Sequence, residues 1–228
     1  CGEANEKLMV SERVNYSSAP ALELNAQKAL AMAGKSVDDM AYFDCYSCFP
    51  SAVEIACDEL GLSYDDPRGF TVTGGLPFFG GPGNNYTLHG VASMLPLLRA
   101  NATRYGLVTA NGGYLSKHAT GVYSAIPLQG KWQREKPSSY QAEIDSMESP
   151  PFTETPQGNA TIETYTVCFN RGVPEKGIIV GRLANNDNRF VANTPADPAL
   201  LQSMTESEQI GRPGTVLSMD GMNTFTPL

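Results

Sequence analysis

Gly74-Gly-Leu-Pro-Phe-Phe-Gly-Gly-Pro-Gly-Asn-Asn-Tyr-Thr-Leu-His-Gly90 sets six glycines and two prolines around a pair of phenylalanines. Glycine loses more backbone freedom on folding than any other residue, so this density signals main chain that must bend sharply or approach something closely. Upstream, residues 68–73 read as a strand. Downstream, Asn84 or Asn85 is placed to cap a helix carrying Leu88, Val91, Ala92 and Leu95, which Pro96 should bend or end. A Gly-rich segment between strand and helix leaves helix N–H groups free for an anionic or polar oxygen. The segment is neither common phosphate loop. Gly80-Gly-Pro-Gly83 is tighter than G-x-G-x-x-G, and no Gly-Lys-Ser/Thr follows.

Outward from this loop, strands and helices alternate. Residues 20–33 have Leu22, Ala26, Ala29, Leu30 and Ala33 at helical spacing, Pro at the start and Gly34 at the close. Ser36-Val-Asp-Asp39 resembles a capping box with Asp for Glu. Met40-Ala-Tyr-Phe-Asp-Cys45 reads as a buried strand, and residues 51–60, opened by Pro50 and closed by Gly61, as a second helix. Tyr105-Gly-Leu-Val-Thr-Ala110 is a strand, Asn111-Gly-Gly113 a turn, and residues 120–126 a returning strand. The rhythm predicts helices packed on a largely buried sheet. Residues 132–158 are polar and proline-interrupted and read as a linker, with Trp132 anchoring it to the domain surface. Beyond it come four short β-rich runs, and four or five strands with a helix over 198–207 fit a small barrel of the oligonucleotide/oligosaccharide-binding type.

With 228 residues and a formal net charge of −8, basic residues scattered, the chain is not expected to bind nucleic acid. No apolar run is long enough to span a membrane. The first residue is Cys1, which suggests a fragment or a processed chain, and five unpatterned cysteines fit reduced thiols in a cytoplasmic protein. Cys45-x-x-Cys48 invites a zinc or redox reading. Zinc needs a second ligand pair, which the scattered Cys57, Cys168, His89 and His118 do not offer, so structural thiols are expected and no metal.

The ordered set Tyr46-Ser-Cys-Phe49, Gly74-Gly-Leu-Pro-Phe-Phe-Gly-Gly-Pro-Gly83 and Tyr105-Gly-Leu-Val-Thr-Ala-Asn-Gly-Gly113 resembles the C-terminal half of thiolases, which exchange acyl groups with coenzyme A. It looks closest to type-1 thiolase-like proteins of the acetyl-CoA acetyltransferase group. Thr161-Ile-Glu-Thr-Tyr-Thr166 and Phe190-Val-Ala-Asn-Thr-Pro-Ala-Asp197 resemble that group's additional C-terminal domain. The resemblance implies an α/β fold: the C-terminal half of the thiolase layered architecture over 1–126, a linker over 127–158 and an OB-like β-barrel over 159–228. It implies a coenzyme A thioester as substrate, no tightly bound cofactor, and an absent N-terminal half that brings the nucleophilic cysteine and would be a partner. A half alone leaves an uncovered face, so a homo-oligomer is a further expectation.

Position by position, Tyr46 stands where thiolases have an oxyanion-assisting Asn or His, Gly81 where they have the histidine that activates the nucleophile, and Asn111 where they have the second, acid–base cysteine. Losing one oxyanion donor costs about 2.7–4 kcal/mol and losing a general base a further ~10²–10⁴-fold, so ordinary thiolase activity is not expected. Tyr46, Asn111 and His118 are the candidates for a repurposed acyl-CoA site, with Gly80, Gly81, Gly83, Asn84 and Asn85 as its binding loop and Lys117 as a coenzyme A phosphate contact or a solvated lysine. The alternative is a non-catalytic thiolase-derived scaffold or acyl-CoA-binding partner in lipid metabolism.

Overall fold

The computed structural model describes residues 1–228, which divide into Cys1–Leu8 with Ser17–Met147, and Met9–Tyr16 with Glu148–Leu228. In the first unit, a short strand β1 (Gly2–Asn5) precedes helix α1 (Pro20–Ala33), strand β2 (Met40–Asp44) and helix α2 (Pro50–Leu60). A single turn α3 (Leu76–Phe79) and helix α4 (Tyr86–Ala100) lead to strands β3 (Tyr105–Gly112) and β4 (Lys117–Ser124), then helix α5 (Pro137–Asp145). The sheet order is β1-β4-β3-β2, with β2 parallel to β3 and the other pairs antiparallel.

Successive strand residues point to opposite faces, and β3 serves two cores in this way. Leu107 joins Leu22, Ala26 and Leu30 of α1 and Ile55 and Ala56 of α2, while Val108 meets Met94 and Leu98 of α4. Both α1 and α2 begin on proline, whose fixed φ suits the first helical position, and both end on a left-handed glycine. Pro96 does not end α4, which runs on to Ala100.

Two sequence expectations change here. Residues 68–73 are not a strand: the Val72 and Thr73 amides donate to the Asp44 carboxylate at 3.1 and 3.3 Å, and the Cys45 amide donates to the Phe70 carbonyl at 2.7 Å. A side chain takes the hydrogen bonds a ladder would have used. The stretch 127–158 is not simply a linker, because Pro137 opens a helix instead of breaking one. Tyr140 and Ile144 of α5 bury against Ala4 and Ala21, so the first unit continues to Met147, not residue 126. Trp132, expected to anchor, is 64% exposed.

The second unit is a closed barrel of β5 (Gln157–Asn170), β6 (Val173–Leu183), β7 (Arg189–Asn193), β8 (Pro213–Met219) and β9 (Met222–Pro227), in the order β5-β6-β7-β9-β8. Helix α6 (Pro198–Glu206) lies between the third and fourth strands in sequence, and the Asp197 carboxylate accepts from the Ala199 and Leu200 amides at its start. Ile162, Ile179, Phe190 and Phe225 fill the interior with Leu201 and Met204 from α6. This is the small OB-like barrel expected, with a fifth strand closing it. Its unit starts at Glu148, not residue 159, and includes Met9–Tyr16.

That addition has one cause. Arg189 is fully buried, and its guanidinium donates to Glu163 at 2.5 and 2.7 Å, to the Ser11 carbonyl at 2.8 Å and to the Arg13 and Val14 carbonyls, with Tyr16's ring 5.0 Å away. Glu163 sits where the register of β5 slips between Ile162 and Thr164, an irregularity that re-aims a side chain, and it also takes Arg182 at 2.9 Å. Burial raises the Glu163 pKa, but the two arginines more than offset this and hold it below its ordinary value. A depressed carboxylate pKa contributes stability that is present above the unfolded pKa of about 4.3 and is lost as pH falls through the folded one. Arg189→Met should therefore destabilise the second unit by about 3–5 kcal/mol, the cost of stranding one member of a buried pair. Glu163→Gln should flatten the loss of its stability between about pH 5 and pH 3. Urea unfolding followed by barrel-specific signals checks both, and wild-type midpoints in Arg189→Met would contradict the first.

Candidate functional site

Parallel pairing places the carboxyl ends of β2 and β3 side by side, where ligands characteristically bind in open α/β sheets. Just past β2 the Tyr46 amide donates to the Thr109 hydroxyl at 2.9 Å, which fixes Tyr46 beside β3. The chain then turns into α2, bringing Cys48 next to Asn111. The Asn111 amide donates to the Cys48 sulfur at 3.4 Å, while its Oδ1 is buried with no hydrogen-bond partner. Asn111 pairs across the hairpin with His118, whose buried ring lies 3.0 Å through Nε2 from the Leu115 carbonyl. Asn111, His118 and Lys117 also line a cleft of about 580 Å³ with Glu3 and Gln141.

The glycine segment packs beside Ser47 and Tyr46. Gly75 (φ 86°, ψ 167°) and Gly80 (φ 94°, ψ 155°) bracket α3 in a conformation nearly restricted to glycine. One end is pinned by the Leu76 amide donating to the Ser47 hydroxyl at 3.0 Å. The other is pinned through Tyr86, whose hydroxyl lies 2.6 Å from the Thr73 hydroxyl, which in turn bonds the Asp44 carboxylate at 3.0 Å. The Tyr46 ring meets Tyr86 edge-on at 5.4 Å, and burial pushes the Tyr46 phenol above its ordinary pKa, with the Cys48 thiol adding to the effect.

Tyr46, Asn111 and His118 thus gather at one end of the sheet. Gly80, Gly81, Gly83, Asn84 and Asn85 are exposed and form the outer rim, joined to the inner group through Phe79 and Tyr86, whose rings are 6.2 Å apart. Asn85 does not cap α4 through its side chain, which instead lies 3.1 Å from His89 Nε2. Of the Cys-x-x-Cys pair, Cys45 is buried in the core with its thiol pKa pushed up by burial, while Cys48 is half-buried in the site. No three His, Cys, Asp or Glu side chains gather as a metal would require. Cys48, Ser47, Thr73 and Asp44 are the members that sequence reasoning missed. Cys48 carried a signal in Cys45-x-x-Cys48, read there as a structural thiol, and Asp44 carried one as a charge inside an apolar strand.

Residues 139–221 match the family described as the thiolase-like protein type 1 additional C-terminal domain. The crystal structure of a monomeric SCP2-thiolase-like protein type 1 from Mycobacterium smegmatis is similar, with a TM-score of 0.88 and 41% identity, over 98% of this chain and 49% of that one. The chain therefore spans about half the length of this relative. No curated protein matches it. These similarities support a thiolase-like protein.

A Cβ on Gly90 would collide with the Asp44 carboxylate, so Gly90→Ala should cost about 1–3 kcal/mol and loosen α4 from β2. Burial raises the Asp44 pKa against the hydrogen bonds from Thr73 and Val72. A raised carboxylate pKa favours the fold at low pH and loses that contribution as pH rises through the carboxylate range. Asp44→Asn should remove this dependence while keeping the Thr73 bond, checked by denaturant midpoints between pH 4 and 7. An unchanged pH profile would contradict it.

Proposed function

From a thiolase-like chain that carries the type 1 additional C-terminal domain, we propose that the first unit holds a coenzyme A thioester at the carboxyl ends of β2 and β3. Its glycine segment forms one wall. The observation that carries this reading is Asn111: its Oδ1 is buried and unpartnered, beside Cys48 and at the same end of the sheet as Tyr46. A buried acceptor left unmade costs about 1–3 kcal/mol, and a pantetheine amide N–H would relieve it. The Tyr46 hydroxyl supplies a donor for the thioester carbonyl, as the residue at the thiolase Asn position does through water.

In this reading the chain belongs to the acetyl-CoA acetyltransferase group by descent, and its part is to hold the acyl group and not to perform ordinary thiolysis. Gly81 has no side chain to act as a base, and an asparagine amide does not exchange protons as a cysteine does. The nucleophile belongs to an N-terminal thiolase half, the partner of this one. Phe49, Phe78 and Leu88 are the apolar surface offered to it, Phe78 being 82% exposed.

Calorimetric titration with acetyl-CoA should show saturable binding that Tyr46→Phe and Asn111→Ala each weaken about tenfold, the worth of one hydrogen bond to a polar ligand. Unchanged affinity in both variants would remove these residues from the site. Light scattering should show the chain alone self-associating, with Phe78→Ser shifting it toward monomer. A monodisperse wild-type monomer would contradict that assignment.

A further inference from the structure

Asn111 stands one residue before the end of β3, and the turn that follows, residues 113–116, runs against ordinary backbone preference. Gly113 and Leu115 both take positive φ, 63° and 53°. Glycine does so freely, whereas a leucine Cβ there crowds the carbonyl oxygen that follows it. The flanks of the turn are tied down. The Ser116 amide and hydroxyl both donate to the Gly112 carbonyl, at 3.2 and 3.3 Å, and the Ser116 carbonyl accepts from the Glu6 amide at 2.9 Å. The Leu115 side chain packs on the core that α1 and α2 form against the sheet.

The Leu115 carbonyl itself is met by His118, whose Nε2 lies 3.0 Å away. A carbonyl only accepts, so this nitrogen carries a proton and donates it. His118 is buried, and across the hairpin it is the direct partner of Asn111, as Thr120 is of Thr109 and Val122 of Leu107. Paired residues share a face, so the imidazole and the Asn111 side chain lie on the α1 and α2 side of the sheet with Leu107 and Val122. The same ring thus neighbours Asn111 and holds the turn that ends its strand.

We propose that His118 is a positioning residue for the thioester site: its Nε2–H holds Leu115 in the left-handed turn and so sets the strand end from which Asn111 reaches Cys48. Hydrogen bonds weaken steeply with misalignment, so a turn released from His118 would spoil the aim of Asn111 at Cys48 and at a ligand. The ring acts as a fixed donor, and its Nε2 proton is not passed to a ligand. The consequence for binding rests on the thioester reading, whereas the hold on the turn does not.

Two variants of the 228-residue chain separate reach from chemistry. His118→Gln carries an amide N–H about as far as Nε2–H, and His118→Asn carries the same group but stops short of Leu115. In the free protein, heteronuclear NMR should show the Asn111 side-chain amide and the Leu115 and Ser116 amides nearly unmoved in His118→Gln and displaced in His118→Asn. Calorimetric titration with acetyl-CoA should place His118→Gln within about twofold of wild type and His118→Asn about tenfold weaker. Both titrations would be run below the thermal midpoints of the variants. Equal displacement and equal loss in the two variants would overturn the proposal, by making the imidazole itself the required group. Wild-type resonances and affinity in His118→Asn would overturn it as well. Failure of the wild type to bind acetyl-CoA would count against the thioester reading instead, and the resonances of the free protein would still decide the part played by His118.

Discussion

Asp44 is a carboxylate with no solvent exposure and no cation beside it, and the arrangement of the first unit follows from how it is satisfied. One oxygen accepts from the Val72 amide and from both the amide and hydroxyl of Thr73. The other faces Gly90, where only a residue without a Cβ leaves room. Burying such a group without partners is expensive, so the chain on either side is obliged to converge on it. The end of β2, residues 72–73 and the first turns of α4 are thereby fixed to one another. The glycine segment between Thr73 and Tyr86 has both ends defined, and its middle is exposed.

The second unit solves a similar problem with opposite charge. Arg189 is buried at the start of β7 against residues 11–16 and shares Glu163 with Arg182, while carbonyls of residues 11, 13 and 14 use the donors that remain. In both units one buried ionic group collects backbone from distant parts of the sequence. The difference lies in compensation: Glu163 has two cations and a depressed pKa, whereas Asp44 has only dipoles and a raised one.

These two groups also mark where sequence reading succeeds and fails. Helices α1 and α2 were legible because apolar spacing, an opening proline and a closing glycine agree, and β2, β3 and the barrel strands because they are short, β-rich and bounded by turns. Residues 68–73 look like another such strand, but tertiary hydrogen bonds to Asp44 override the local pattern. Helix α5 buries only Tyr140 and Ile144 on an otherwise polar stretch, too weak a stripe to read. The pairing of residues 9–16 with Arg189 spans more than 170 positions, a separation at which no local signal operates. In the candidate site, Tyr46 and Asn111 lie within the ordered motifs, and the turn into α2 that delivers Cys48 to Asn111 was not legible. The loop residues Gly80 to Asn85 were legible as a loop, and the structure sets them at the rim.

The account's central claim is that a thioester ligand completes the hydrogen bonding of Asn111 at the strand ends. The most direct measurement is the side-chain amide resonance of Asn111, followed by heteronuclear NMR as acetyl-CoA is added. The account predicts a saturable shift of that resonance together with the Tyr46 and Gly75 amides. Saturation of the protein with those signals unmoved, and the perturbed residues elsewhere, would contradict it.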